Sequence, residues 1–150
     1  MRIVVQRTTK ASVEIDAKIQ GEINLGLLVL LGIEEADTEE DALWLIGKIN
    51  SLRIFGDGEG KMNLSIQDVD GAFLVISQFT LHASTKKGNR PSYIKAAKPE
   101  FAIPLYAFFV EKLRGSSGLK VETGVFGADM KVLLINDGPV TILIDSKNKE

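Results

Sequence analysis

Two apolar runs bounded by glycine constrain the fold of this chain more than any other feature. Gly26-Leu27-Leu28-Val29-Leu30-Leu31-Gly32-Ile33 is continuous, too short for most helices and without alternation. It therefore reads as a strand buried on both faces, central in its sheet. Gly71-Ala72-Phe73-Leu74-Val75-Ile76-Ser77-Gln78-Phe79-Thr80-Leu81 starts in the same way and turns polar at its end. Shorter strands are expected at Ile3-Val4-Val5 and at residues 11–16, the second with one apolar and one wet face, and the two are expected to pair. Further strand candidates lie at 53–55, 120–123, 131–135 and 140–144, with Asn136-Asp137-Gly138-Pro139 as a turn signal between the last two.

Two helices complete the pattern. Asp37 or Thr38 can cap a helix in which Ala42, Leu45, Ile46 and Ile49 recur at helical spacing. The acidic residues 34–41 suit the positive end of that helix, which explains them without a metal. Pro99-Glu100 opens a second helix, with Phe101, Leu105, Phe108, Phe109 and Lys112 expected on one face, Pro104 tolerated near the first turn, and Gly115 and Gly118 at its end. The expected architecture is α/β: a mixed, largely antiparallel β-sheet core with two main helices, in one domain spanning residues 1–150. The short connection between the last two strands excludes a purely parallel, doubly wound sheet.

Composition narrows the chemistry. With 150 residues and 45% hydrophobic content, the chain can bury a core without disulfides or metal, and it has no cysteine to supply a disulfide or a thiol nucleophile. The net charge of −2 argues against indiscriminate coating of nucleic acid. The first residues, Met1-Arg2-Ile3-Val4-Val5-Gln6-Arg7, lack the apolar stretch of a secretory signal, and the later apolar runs are too short and interrupted to span a bilayer, so no membrane is expected and the cytoplasm is the expected address. Neither a Gly-x-Gly-x-x-Gly after a strand nor a Walker loop occurs, so no cofactor is expected. The glycine-rich segment 56–61 lacks the alternating ligands and closing Glu of a calcium loop, and one histidine with scattered carboxylates gives no metal constellation.

Three segments could carry chemistry. His82 is the single histidine, so a triad would run through it, with Ser77 or Thr80 as nucleophile and no third member identifiable. Alternatively His82 is a half-exposed residue at a strand end. Ser77, Gln78, Phe79 and Thr80 either line a cleft, where backbone N–H groups could stabilise an oxyanion, or mark a strand emerging into solvent. Lys86, Lys87, Arg90, Lys95 and Lys98 lie between His82 and Lys98 with no acidic residue among them. This long polar connection is either a solvated loop or a site for an anionic partner; five contacts to single-stranded RNA would give a log–log salt slope of about −3.5.

Four motifs occur together in order: Ser77-Gln78-Phe79-Thr80-Leu81, Thr85-Lys86-Lys87-Gly88-Asn89-Arg90-Pro91-Ser92, Thr123-Gly124-Val125-Phe126-Gly127-Ala128-Asp129-Met130, and Asn136-Asp137-Gly138-Pro139-Val140-Thr141. With them the chain resembles the D-aminoacyl-tRNA deacylases from its amino terminus to about Asp145. The resemblance implies a homodimer joined through the sheet, acting on D-aminoacyl-tRNA and on Gly-tRNA. It implies that Ser77, Gln78, Phe79 and Thr80 form the catalytic segment and that Gly138 and Pro139, joined by a cis peptide, reach across from the partner to exclude L-amino acids. Phe126, Ala128 and Met130 would complete the substrate pocket, and Lys86, Lys87 and Arg90 would meet the tRNA. Position 82 departs from the family, which more often has tyrosine there. In the absence of a triad, hydrolysis assisted by the ribose 2′-hydroxyl is expected, with Phe79 N–H as oxyanion donor and nucleophilic attack by Thr80 as the rival.

Overall fold

A computed structural model describes all residues, 1–150. Strand β1 (Arg2–Ile15) is followed by β2 (Lys18–Ile23) and β3 (Gly26–Gly32), then α1 (Glu39–Ser51) and the short strands β4 (Phe55–Gly56) and β5 (Met62–Leu64). Next come β6 (Ala72–Ser77), a 3₁₀ turn at Phe79–His82, α2 (Pro99–Ser117), β7 (Val121–Thr123) and β8 (Lys131–Asp145). The main sheet runs β2-β1-β3-β6-β7, with β8 on the other side of β1. The β3–β6 and β6–β7 pairs are parallel and the others antiparallel, so the sheet is mixed as expected.

The two diagnostic runs occupy the centre. Leu27, Val29 and Leu31 of β3, with Phe73 and Val75 of β6, face the helices in the main core, which includes Ala42, Leu45, Ile46 and Ile49 of α1. Leu28, Leu74 and Ile76 point to the opposite face, where Ala11, Val13 and Ile23 make a second, smaller core. The second half of β1 and the first half of β8 cover that face, and their other halves pack on the main core, giving a nearly barrel-like sheet. Gly26 is required where β3 begins, because a Cβ there would lie 1.9 Å from the Ala72 carbonyl oxygen.

Four expectations are corrected. Residues 3–5 and 11–16 are not two strands paired with each other but parts of the single strand β1. The polar link between them stays extended because its groups are satisfied laterally: the buried Thr8 hydroxyl donates to the Gly26 carbonyl (3.4 Å) and Arg7 Nε to that of Asp137 (3.1 Å). The chain reverses instead at Asp16-Ala17, both with positive φ, as a two-residue hairpin requires. Likewise, residues 136–139 do not turn the chain but bulge within the continuous strand β8, where the ladder with β1 slips on either side of Thr8. Asn136 Oδ1 accepts the Val140 N–H at 2.9 Å and closes the bulge locally.

The expected strand through Leu81 ends at Ser77. Gln78 N–H makes a last bond to the Leu31 carbonyl (2.7 Å), and the chain then winds into the 3₁₀ turn through Leu81 N–H to Gln78 O (3.2 Å) and Ala83 N–H to Thr80 O (3.0 Å). In α2 the buried face is Ala102, Leu105, Tyr106, Phe109, Val110 and Leu113, rotated from the expected one, and it leaves Phe101 and Lys112 exposed. That helix continues past Gly115 and ends at Gly118.

The acidic segment before and within α1 has structural partners. Buried Asp37 pairs with the Met1 ammonium and accepts the Glu34 N–H. Asp41 accepts the Thr38 N–H at 2.9 Å, closing a capping box, and Lys147 Nζ at 2.6 Å. Burial alone would raise the Asp41 pKa, but hydrogen bonds from Lys147, Ser146 and Thr38 hold it far below the usual carboxylate range.

Candidate active site

At the carboxyl end of β6 the parallel pair opens onto a cavity of about 270 Å³. Its floor and walls are apolar: Leu31 of β3 and Ile33 just after it, Ile76 of β6, Ala102 of α2, and Val132 of β8. Six residues singled out in the sequence line it, namely Ser77, Gln78, Phe79, Phe126, Ala128 and Met130. Residues 123–130 and 77–80, far apart in sequence, thus form one site. The parallel β6–β7 pairing brings them together, since Val75 registers with Thr123.

The polar rim comes from the end of β6. Gln78 Nε2 donates to Thr80 Oγ1 at 2.5 Å, so the hydroxyl is held by an amide that cannot remove its proton. His82 is 1% exposed and its ring nitrogens hydrogen-bond to nothing, while Nδ1 lies 3.8 Å from Glu34 Oε2. The triad is therefore not assembled, and His82 is buried rather than half-exposed at a strand end. What the rim does offer is main chain. Phe79 and Thr80 occupy the first positions of the 3₁₀ turn, where amides have no acceptor within the turn, and no loop or turn bond uses either N–H.

A tyrosine not singled out from the sequence frames the cavity from behind. Tyr106 on α2 donates its buried hydroxyl to the Val75 carbonyl at 2.8 Å, and its ring meets Phe126 edge-on at 5.9 Å. Burial pushes this phenol up to about 12. The helical spacing from Ala102 through Leu105 to Phe109 contains the signal for it, read one position out of phase.

Thr80 sits on the rim without lining the cavity, and neither Gly138 nor Pro139 lines it. Both are exposed on the β8 bulge, and their peptide bond is cis. Arg7 fixes the approach: its Nε meets the Asp137 carboxylate at 3.0 Å as well as the Asp137 carbonyl, and Nη1 donates to the Ile54 carbonyl at 2.5 Å. Gly138 has φ +128°, and a Cβ on it would come within 3.0 Å of Arg7 Nη2. Arg7 is a second residue that sequence reasoning missed, because a contact from β1 to β8 leaves no periodic mark.

Lys86, Lys87 and Arg90 lie on an exposed excursion closed by reciprocal bonds between Ser84 and Ser92 (2.8 and 2.9 Å). With Lys95 and Lys98 they make five cations without an ion-pair partner within one segment, whereas the other unpaired lysines, Lys18, Lys48, Lys112 and Lys149, are scattered along the chain. No group of three or more metal-ligating side chains converges anywhere in the chain.

The mixed sheet with its two helices is a fold shared with known proteins. The family model described as D-Tyr-tRNA(Tyr) deacylase matches residues 4–145, and the chain belongs to that family. It is 63% identical over 150 residues to a D-aminoacyl-tRNA deacylase of Flavobacterium johnsoniae and 59% identical to one of Akkermansia muciniphila, covering all of both chains in each case. Among solved structures, the c-Myc DNA Unwinding Element Binding Protein superposes with a TM-score of 0.91 at 40% identity, over 97% of this chain and 98% of the other. A structure described as "a probable eukaryotic D-amino acid tRNA deacylase" gives 0.82 at 16% identity over 95% and 97%, which speaks for the fold alone.

Proposed function

We propose that this chain is a D-aminoacyl-tRNA deacylase, an enzyme that hydrolyses the ester between a D-amino acid and the 3′ end of tRNA. The observation that carries the reading is the site itself: an apolar cavity rimmed by Ser77-Gln78-Phe79 beside an unpaired basic excursion. The cavity would hold the aminoacyl group, and the excursion would hold RNA. The curated relatives carry the same activity in their names.

The chemistry follows from what the rim lacks. With Thr80 bonded to an amide and His82 bonded to nothing, no side chain activates a nucleophile. The vicinal ribose 2′-hydroxyl then orients a water on the carbonyl carbon. The water oxygen bonds to that carbon, Phe79 N–H receives the developing oxyanion, and the carbon–oxygen ester bond breaks. The proton that the attacking water gives up passes by way of the 2′-hydroxyl to the departing 3′-oxygen, leaving free tRNA and free amino acid. Gln78 and Ser77 hold the ester, and Phe126, Ala128 and Met130 surround the aminoacyl group.

Handedness is sorted by shape. Sparing L-aminoacyl-tRNA by 10⁴-fold requires about 5.6 kcal/mol, more than one ordinary hydrogen bond supplies. Gly138 and Pro139 of a second copy, presenting main chain to the cavity, would leave no room for an L side chain. Glycine has no side chain to exclude, so Gly-tRNA is a further substrate. The second copy has a place to dock: β8 has one strand neighbour, its other edge is free, and Leu133, Ile135 and Leu143 on it are 50%, 60% and 65% exposed. A homodimer built on β8 covers that stripe. The cytoplasm is where such a substrate is met, and no helix is long and apolar enough to cross a membrane.

The second reading is a nucleic-acid-binding dimer without turnover, favoured by the unpaired cations. Release of amino acid from D-Tyr-tRNA and L-Tyr-tRNA separates the two. The deacylase releases D-Tyr and leaves L-Tyr attached, whereas binding without release of either restores the second reading. Within the deacylase reading, Thr80→Ala keeps activity within about tenfold and a 2′-deoxy terminal ribose abolishes it; the reverse pair of results makes Thr80 the nucleophile.

A further inference from the structure

Beside the cavity mouth stands a small apolar outcrop of which the proposed chemistry uses only Phe79. Phe79, at the edge of the cavity, is 55% exposed, and Tyr93 meets its ring edge-on with centroids 5.1 Å apart. Tyr93 itself is 40% exposed and the following Ile94 is 89% exposed. This outcrop is held in place by hydrogen bonds rather than left to wander. The Ser84–Ser92 bonds precede it, Ala96 N–H bonds back to the Tyr93 carbonyl at 2.9 Å, and Ala97 N–H reaches the Ile33 carbonyl at 2.9 Å.

A fixed backbone that presents two aromatic rings and a bare isoleucine to water is built to be covered. Its surroundings indicate by what. Lys86, Lys87 and Arg90 precede it, Lys95 and Lys98 follow it, and none is ion-paired within the chain. A second copy of the same segment would be repelled by this charge, and a duplex would offer phosphates to the cations while giving the rings no base face. Unpaired nucleotides satisfy both demands, because their bases stack on aromatic and apolar side chains while their phosphates meet the cations.

We infer that Tyr93 and Ile94 form a stacking step for the unpaired nucleotides preceding the terminal adenosine of the tRNA. This deepens the deacylase reading and rests on it for the identity of the strand. Phe79 faces the cavity on one side and Tyr93 on the other, so a chain leaving the ester site passes Phe79 first and Tyr93 next. The step reads the presence of a single strand, independently of the amino acid and of the cations that hold the phosphates.

The test uses the whole protein and two uncharged RNA stem-loops, one with a four-nucleotide 3′ overhang and one blunt, followed by fluorescence anisotropy over a salt series. Wild type prefers the overhang. Tyr93→Ala weakens overhang binding roughly tenfold, leaves blunt binding as it was and leaves the salt slope unchanged. Ile94→Ser gives a smaller loss of the same kind, and Tyr93→Phe, which keeps the ring, restores the affinity. Lys86→Ala instead flattens the salt slope by about 0.7. If Tyr93→Ala perturbs the fold, Tyr93→Leu against Tyr93→Phe decides, since only the former loses the ring. Equal losses on both probes, no loss on either, or a loss that tracks a change in sedimentation coefficient overturns the inference. Release of D-Tyr by an enzyme with no overhang preference overturns it while sparing the deacylase; overhang preference without release does the opposite.

Discussion

Strands β3 and β8 are both rich in branched aliphatic residues, yet they lead opposite lives. β3 has six of its seven residues buried and hydrogen-bonds a strand on each side. β8 runs for fifteen residues with one neighbour and holds Leu133, Ile135 and Leu143 half or more in water. The same kind of side chain is therefore covered by the fold in one place and left in water in the other. Apolar content alone does not distinguish these roles; the number of covered faces and edges does.

The sharpest way to break this contrast is to truncate each side. Phe73→Ala, at a fully buried position on β6 beside β3, is expected to cost about 3–5 kcal/mol in urea unfolding. Leu143→Asp on β8 is expected to leave the unfolding of the subunit nearly unchanged and to shift sedimentation from dimer to monomer. If Leu143→Asp unfolds the chain instead, the stripe belongs to the monomer core and the contrast fails.

The next effect concerns what β8 carries. Arg7→Ala removes the bonds to Asp137 and Ile54, so the Gly138-Pro139 bulge loses its anchor. Expected is a rise of about 10-fold to 100-fold in L-Tyr-tRNA hydrolysis with D-Tyr-tRNA hydrolysis much less affected, a difference of about 1.4–2.8 kcal/mol. Equal changes for both enantiomers would show that the bulge does not sort handedness.

The smallest effect is electrostatic and lies away from the site. Asp41 titrates lower when folded than the roughly 3.9 of an unfolded aspartate, so its contribution is complete above that value and is lost as pH falls toward the folded value. The gap in urea midpoint between wild type and Asp41→Asn should be constant from about pH 5 to 8 and narrow below about pH 4. A gap that persists into strong acid would mean that packing, not charge, holds Lys147 against α1.

Much of the molecule was legible in the sequence because burial on both faces leaves an unbroken apolar run. That is why β3, the first half of β6 and the buried face of α1 were read correctly. Segment 77–80 was singled out through its motif, and the polarity change after Ile76 marked the place where the cavity opens. What stayed hidden depends on pairing across distance. Nothing local in residues 6–10 tells that Thr8 and Arg7 find acceptors on β3 and β8 and keep β1 extended. A Gly-Pro pair after Asn-Asp has turn chemistry wherever it occurs, and only the ladder to β1 makes it a bulge. The phase of α2 was misread because Phe101 and Phe108 are large and apolar yet partly exposed, while Tyr106, with a polar tip, is inside.

The latch between Tyr106 and Val75 has one further consequence. With its phenol pushed up to about 12, it keeps its proton at every physiological pH, so it is a rivet and not a titrating joint. The helix behind the cavity is thereby held to β6 by a fastening that is buried away from solvent. Variation at Ala128 or Met130 then reshapes the cavity wall without loosening that fastening.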